Sequence, residues 1–514
     1  MKSQASLTIA KNSFANLMRL GVGAMVAVLL PPFLTRRLSH DMYAAWVLIL
    51  QLSAYAAIFE LGLQLAISKF VAQHHATEDH EGASSVVSTA TALLGVSALV
   101  ALVAVAALVW QVPNLFQQLT PALVHQVRLG ILLVGGATAL ALPTTALAST
   151  FQGVQRYKIP MAIGGGMQAL SGFAIVLAVL RHASLVVMGA CVAAITLGAA
   201  LVQVAAWRKY LSHIRLSAAI VTHRMTRTIL AYCAGMSILS FAMLLISGLD
   251  TAIVGHFDFK ATGYYAIAAS LTNFVIMTVG SIFGPLMPAV SAMAAVDDRA
   301  GIASLTLRST RYCSAMVVLT GLPLLLYGHP ILSIWVGADY ARHSIVLLEI
   351  LTIANMIRLC MLPYFTVVAG SGLQRYLWIA GILEAAVNFG SSIAFAYRFG
   401  AVGVAIGTLV GSVVGVGLLI FHSMWHTRNA VPVLRAEFLL RGLAKPLLCG
   451  VPLFAFFLFC RGNPAILGFL PPVLVVVVTI VLLWSVGLAG SDRKILASAA
   501  HDWKLNRLLR EAID

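Results

Sequence analysis

The sequence predicts an all-α, polytopic integral membrane protein with about 14 transmembrane helices. These are expected as two pseudo-symmetric six-helix lobes plus two C-terminal helices. Three observations predict it. Hydrophobic residues make up 60% of the 514 positions and charged residues only 10%, whereas a soluble domain carries about 25% charged residues. Apolar stretches long enough to span a bilayer, about 20 residues each, follow one another along the chain. A short motif also occurs twice, as GVQRY at 153–157 and GLQRY at 372–376, offset by 219 positions.

The apolar stretches, with soft ends, cover 16–38, 42–72, 84–110, 121–151, 157–180, 184–206, 226–255, 261–293, 304–327, 341–370, 376–397, 402–424, 440–460 and 465–488. The first six form an N-lobe within 1–210, and 211–225 is a connector. Spans seven to twelve form a C-lobe within 226–425. Spans thirteen and fourteen, within 426–490, lie outside the duplication, and 491–514 is a tail whose Ile495, Leu496, Trp503, Leu508 and Leu509 among basic residues suggest an interfacial helix. The flanks of the motif recur as well: Tyr43 and Tyr264 precede similar segments, and Trp207 and Trp425 close them. Six spans return the chain to its starting side, so the two copies share one orientation, as parallel repeats do.

The net charge of +16 invites a nucleic-acid reading, which its placement opposes. With the N-terminus cytoplasmic, 24 Lys and Arg fall on the cytoplasmic side and 8 on the other, with Arg358 inside a span. That split follows the positive-inside rule with both termini in the cytoplasm. The charge records topology and contact with anionic lipid heads, and no nucleic-acid partner is expected. Arg19 interrupts the first apolar run and no small-residue cleavage site follows, so a retained span is expected rather than a signal peptide. The six cysteines lie in apolar segments without CxxC pairing and read as buried thiols.

No loop is long enough for a folded extramembrane domain. His74, His75 and His80 lie near Glu78, Asp79 and Glu81. Their spacing matches no defined metal motif, so a solvated loop is expected, with no metal and no cofactor. Walker, GxSxG and HExxH motifs are absent.

An ionisable side chain inside a span costs about 2.5–3.5 kcal/mol on insertion scales, so each is a candidate functional group. Glu60 lies mid-span in span two, and Gln64 and Ser68 follow at i+4 and i+8, making one polar stripe. Glu384, Asn388 and Ser391 or Ser392 form another in span eleven. Either stripe lines a water-filled cleft or bonds neighbouring helices. Arg358 is the one cation deep in a span. Glu349 lies on the opposite side of its helix; Glu384, on the next span at similar depth, is the better partner. Arg358 reads either as half of that ion pair or as a bidentate phosphate ligand. Arg19 either snorkels to the headgroups or meets a diphosphate at the inner mouth. Asp250 either couples transport to H+ or Na+ or bonds a neighbouring helix. Pro143, Pro323 and Pro363 are expected to kink spans, and the stripe Gly403, Gly407, Gly411 and Gly415 to let a neighbour pack closely.

The segment DTAIVGHFDFKATGYYAIA at 250–268 resembles the seventh-to-eighth-span signature of the multidrug/oligosaccharidyl-lipid/polysaccharide (MOP) exporter superfamily. The segment 38–72 resembles the second span of its polysaccharide-transporter branch, whose pattern the GxQRY hairpins also fit. The loop SHDMY departs from that pattern by lacking a glycine before the tyrosine. The resemblance implies two six-helix lobes opening alternately to each side. It implies a flippase carrying undecaprenyl-diphosphate-linked oligosaccharide across the bacterial inner membrane for O-antigen or exopolysaccharide. Arg19 and Arg358 would then contact the diphosphate, Glu60, Gln64, Glu384 and Asn388 the sugars or a coupling ion, and Asp250 the ion. Membrane lipids, H+ or Na+, and a polymerase and glycosyltransferases are the implied partners. A cation-coupled drug exporter of the same superfamily is the alternative. A membrane polymerase or glycosyltransferase is the third reading, opposed by short outer loops with only scattered acids such as Asp41, Asp258 and Asp339.

Overall fold

A computed structural model of the chain describes residues 21, 23–60, 62–462, 472–487 and 490. Arg19 and the tail 491–514 lie outside the described residues, so the expectations placed on them stay with the sequence. The described residues are helical throughout, without strands: α1 (23–37), α2 (His40–Ala54), α3 (Leu63–Ala76), α4 (His80–Leu115), α5 (Pro121–Gly153), α6 (Lys158–Leu180), α7 (Leu185–Tyr210), α8 (His223–Met243), α9 (Asp250–Phe257), α10 (Thr262–Phe283), α11 (Leu286–Ala295), α12 (Arg299–Val336), α13 (Ala338–Leu359), α14 (Leu362–Gly370) and α15 (Arg375–Leu418) come first. The last helices among the described residues are α16 (Arg435–Leu448), α17 (Val451–Gly462) and α18 (Pro472–Leu482).

Among the described residues, nine helices are long and apolar enough to cross a membrane, or ten if Arg435–Leu448 and Val451–Phe459, bent by 45° at a short break, count as one span. The protein is therefore a multi-pass membrane protein, and among the described residues fourteen separate spans are not seen. One reason is physical. The 53-residue stretch Arg375–Thr427 contains two of the expected spans, run together across Gly400, whose φ of +54° reverses the chain. Large apolar side chains such as Leu99, Val103 and Leu201 are 65–71% exposed, as a lipid-facing surface requires.

The chain divides into two compact units: Met1–Ile267 with Ser333–His343 and Ser392–Val404, and Ala268–Leu332 with Ser344–Ser391 and Ala405–Asp514. In the first, α5 is the central helix, and its glycines explain why. A side chain at Gly130 would meet Ile49 of α2 at 2.6 Å, one at Gly135 would meet Val105 of α4 at 3.3 Å, and one at Gly153 would meet Val71 of α3 at 2.8 Å. Small residues let backbones approach where no hydrophobic effect drives helices together. In the second unit a core of Val317, Leu359, Tyr364, Leu377 and Phe438 is buried.

The duplicated motif forms a tight turn in both copies, between α5 and α6 and between α14 and α15. Its glycines do different work. Gly153 is helical and permits the approach of α3, whereas Gly372 adopts φ +75° with open space around it. In the first copy the left-handed position is instead taken by Gln155, at φ +59°.

Candidate functional site

Arg358 occupies the last turn of α13. Pro363, near the start of α14, has no N–H, which frees the Leu359 carbonyl four residues earlier. The Cys313 Sγ takes up that carbonyl at 3.2 Å. The break ends α13 just after Arg358 and leaves its side chain facing α15. There Nε donates to Glu384 Oε1 at 2.8 Å. The two side chains are 26% and 11% exposed. Among the described residues Arg358 Nη2 is buried with no hydrogen-bond partner, so the guanidinium keeps donor capacity that Glu384 does not use. Of the alternatives set out for Arg358, the ion pair is formed here; the unsatisfied Nη2 leaves a second acceptor possible. Glu349 is buried elsewhere along the helix.

The glycine stripe explains how a carboxylate sits at this depth. After the reversal at Gly400, the second half of α15 packs back on the first. A Cβ at Gly415 would collide with Glu384 Oε2, and one at Gly411 would stand 2.6 Å from Asn388 Cβ. Ser391 Oγ donates to the Gly407 carbonyl at 3.2 Å. Asn388 is fully buried and Glu384 is 8% exposed. The expected polar face of span eleven therefore faces its own hairpin in this structure, not open water. Arg358 is the more exposed member of the group.

The first unit places its polar residues differently. Span two is not one regular helix. A 3-10 turn over Tyr55–Glu60 and Gly62 at φ +72° separate α2 from α3. The expected Glu60–Gln64–Ser68 stripe is thus broken at its first member. Even so, the Gln64 and Thr145 side chains neighbour the Glu60 carboxyl, whose Oε1 is buried without a partner among the described residues. Ser68 Oγ donates to the Ser149 carbonyl at 3.3 Å, tying α3 to α5. Asp250 begins α9 after a π-turn over Leu244–Gly248. It is 5% exposed and accepts from the Tyr265 hydroxyl at 2.9 Å. The Gly248 carbonyl, freed by the helix break, accepts from both Gln51 Nε2 and Tyr55 Oη at 2.7 Å.

Gln51, Tyr55 and Lys69 are not singled out by the sequence. Gln51 and Tyr55 stand four apart in an apolar span, a signal that was readable as one helix face. Lys69 was counted with the loop charges. Its Nζ lies 4.4 Å from the Tyr232 ring centroid and 5.3 Å from that of Phe70, so an exposed cation of α3 is held over aromatic faces of its own unit.

At the basic ends of the helices the loop residues serve local structure. Asp79 accepts from the Gly82 N–H at 2.8 Å and from His74 Nδ1 at 2.8 Å, capping α4. The Gly82 N–H first, and then His74, hold its carboxyl below the usual range. Arg156 of the first motif copy donates to the Tyr210 carbonyl at 3.2 Å, at the end of α7. Arg375 of the second donates to the Tyr376 hydroxyl at 2.7 Å.

The profile of the family described as "Polysaccharide biosynthesis protein" matches residues 9–294. No curated protein matches the chain. A structure of the lipid II flippase MurJ in an inward closed conformation is similar with a TM-score of 0.67 and 13% identity, covering 92% of this chain and 98% of that one. An inward-facing multidrug resistance MATE family transporter of the MOP superfamily is similar with a TM-score of 0.65 and 12% identity, covering 81% and 98%. A MOP superfamily transporter from Pyrococcus furiosus, described as having a binding pocket of reverse polarity, gives a TM-score of 0.59 at 12% identity, covering 82% and 95%. At such identities the likeness concerns the fold.

Proposed function

Because the chain belongs to the polysaccharide biosynthesis protein family and has the fold of MOP transporters, we propose that it is a flippase for undecaprenyl-diphosphate-linked oligosaccharide repeat units. It works in the bacterial inner membrane, with both termini cytoplasmic, and supplies surface polysaccharide synthesis. The observation that carries this reading is the family match over 9–294, more than half of the chain.

The physical task is to move a charged diphosphate and its sugars through an apolar layer. The lipid tail never leaves the bilayer, so the cost lies in desolvating the head. A transporter lowers that cost with fixed donors and with alternating access, and needs no covalent step. Arg358 suits the diphosphate: a guanidinium offers several donors in one plane, and Glu384 engages only one of them here. In this reading Glu384 and Asn388 act mainly by holding Arg358 and the α15 hairpin, and meet the substrate only when the hairpin loosens. Glu60 and Gln64 are assigned to the sugars, Arg19 to the diphosphate at the inner mouth, and Asp250 with Tyr265 to coupling by H+ or Na+.

The test is a leaflet assay. The purified protein is reconstituted with a fluorescent polyprenyl-diphosphate oligosaccharide, and the fraction accessible to a membrane-impermeant enzyme is followed in time. Protein-dependent transfer between leaflets is expected. Vesicles that export cationic drugs against an ion gradient while leaving the lipid-linked sugar in place would instead assign the protein to drug export.

A further inference from the structure

Beyond its last long turn, α15 widens into a π-turn over Leu419–Ser423 and closes with Met424–Thr427. Trp425 stands here, 54% exposed. Arg428 Cζ lies 4.4 Å and Arg435 Cζ 5.3 Å from its ring. Arg435 is fixed further by donating from Nη2 to the Phe421 carbonyl at 2.8 Å. Among the described residues no carboxylate pairs with either arginine. The neighbouring acid, Glu437, is taken by Arg441 at 2.8 Å. Phe421 and Leu434, 70% and 73% exposed, flank the group.

Two guanidiniums on one indole attract the ring but repel each other. An anion bound at the pair relieves that repulsion. A guanidinium held over a ring still carries N–H donors, five in all, that match phosphate oxygens bidentately, and Arg435 spends one of them on the Phe421 carbonyl. Tryptophan with an apolar body and polar tip is enriched where membrane meets water. The exposed Phe421 and Leu434 side chains offer apolar surface to an acyl chain, which a free phosphate has no means to cover. Charge complementarity and apolar flanks thus favour one occupant.

We propose that Trp425, Arg428 and Arg435 form a headgroup site for one anionic phospholipid at the basic end of α15. The site lies away from Arg358 and does not depend on what the protein transports. Loss of lipid binding there leaves the flippase reading untouched.

The full chain in phosphatidylcholine nanodiscs, titrated with phosphatidylglycerol and read by native mass spectrometry, tests it. One tightly retained phosphatidylglycerol is expected. Arg428→Gln and Arg435→Gln should each weaken retention about fivefold, the equivalent of about 1 kcal/mol per basic residue near an anionic surface. If the Gln variants do not fold, the double variant Arg428→Lys with Arg435→Lys serves, because it keeps the charge and loses the planar bidentate donors. Retention should fall there too. Unchanged retention in these variants overturns the site, since diffuse charge then suffices. Inorganic phosphate at millimolar concentration displacing the lipid completely overturns the lipid assignment and leaves a free-anion site.

Discussion

Arg358 Nε and Glu384 Oε1 stand 2.8 Å apart, joining the last turn of α13 to α15. The pair is partly screened on the arginine side and nearly closed on the glutamate side. Breaking one partner of a buried pair costs about 3–5 kcal/mol, because a bare charge remains, whereas an apolar replacement of both is often neutral. The partial exposure of Arg358 lowers the first figure to about 2–3 kcal/mol. Arg358→Ala and Glu384→Ala are each expected to lower the melting temperature and abolish polymer export. The double variant Arg358→Met with Glu384→Leu is expected to regain stability and not export. Restored export in that variant, at wild-type expression, assigns the pair to structure alone.

The glycine stripe gives a second prediction. A methyl at Gly415 displaces the Glu384 carboxylate and a methyl at Gly411 displaces Asn388, whereas among the described residues a methyl at Gly417 meets nothing within 4 Å. Overpacking a close contact costs about 1–3 kcal/mol. Gly415→Ala and Gly411→Ala should destabilise the purified protein by that order in thermal melts. Gly417→Ala should be neutral or slightly stabilising, since alanine suits a helix better than glycine.

Which parts of this were legible follows from the kind of signal each leaves. The Arg358–Glu384 pair was readable because two rare charges sat at similar depth on consecutive spans. The packing role of Gly403–Gly415 was readable from a four-residue period. The interruption of span two was not. Hydropathy is blind to the 3-10 turn over Tyr55–Glu60, and Gly62 in an apolar run looks the same whether helical or left-handed. The same blindness hides the reversal at Gly400, where a Cβ would also meet Asp258 Oδ2 at 2.7 Å. Lys69 was missed because charge counting assigns a cation near a span end to its loop, and only tertiary packing places Tyr232 beneath it.

The two copies of the repeated motif should respond oppositely to the same substitution. Gly372 holds φ +75° in open space, so the penalty for a side chain is conformational, roughly 1 kcal/mol, and asparagine tolerates that region better than alanine. Gly153 is helical, and the obstacle is Val71 at 2.8 Å and the Ser68 carbonyl at 3.1 Å. Gly372→Asn is expected to be milder than Gly372→Ala, and Gly153→Asn harsher than Gly153→Ala. Thermal melts of the four variants check the pattern; the same rank order in both copies contradicts the division of roles.

A pH dependence is expected of the connector between α7 and α8. Partial burial first, and then the positive fields of His80, Arg156 and His75, push the His213 imidazolium below its ordinary range. The His80 and His213 rings lie 5.2 Å apart at 73°. Above the ordinary histidine pKa of about 6.5 the imidazole is neutral whether the connector is docked or released, and the field costs nothing. As pH falls through that value the released form binds a proton that the docked form resists, so docking weakens with acid. Hydrogen exchange of the 211–222 backbone should therefore accelerate between about pH 7 and pH 5.5 relative to the change expected from intrinsic chemistry. His213→Asn removes the titrating group and should flatten the response. Arg156→Gln removes one opposing charge, and should shift the transition to higher protonation of the docked state and so reduce the acid sensitivity. An unaltered profile in both variants removes His213 from the account.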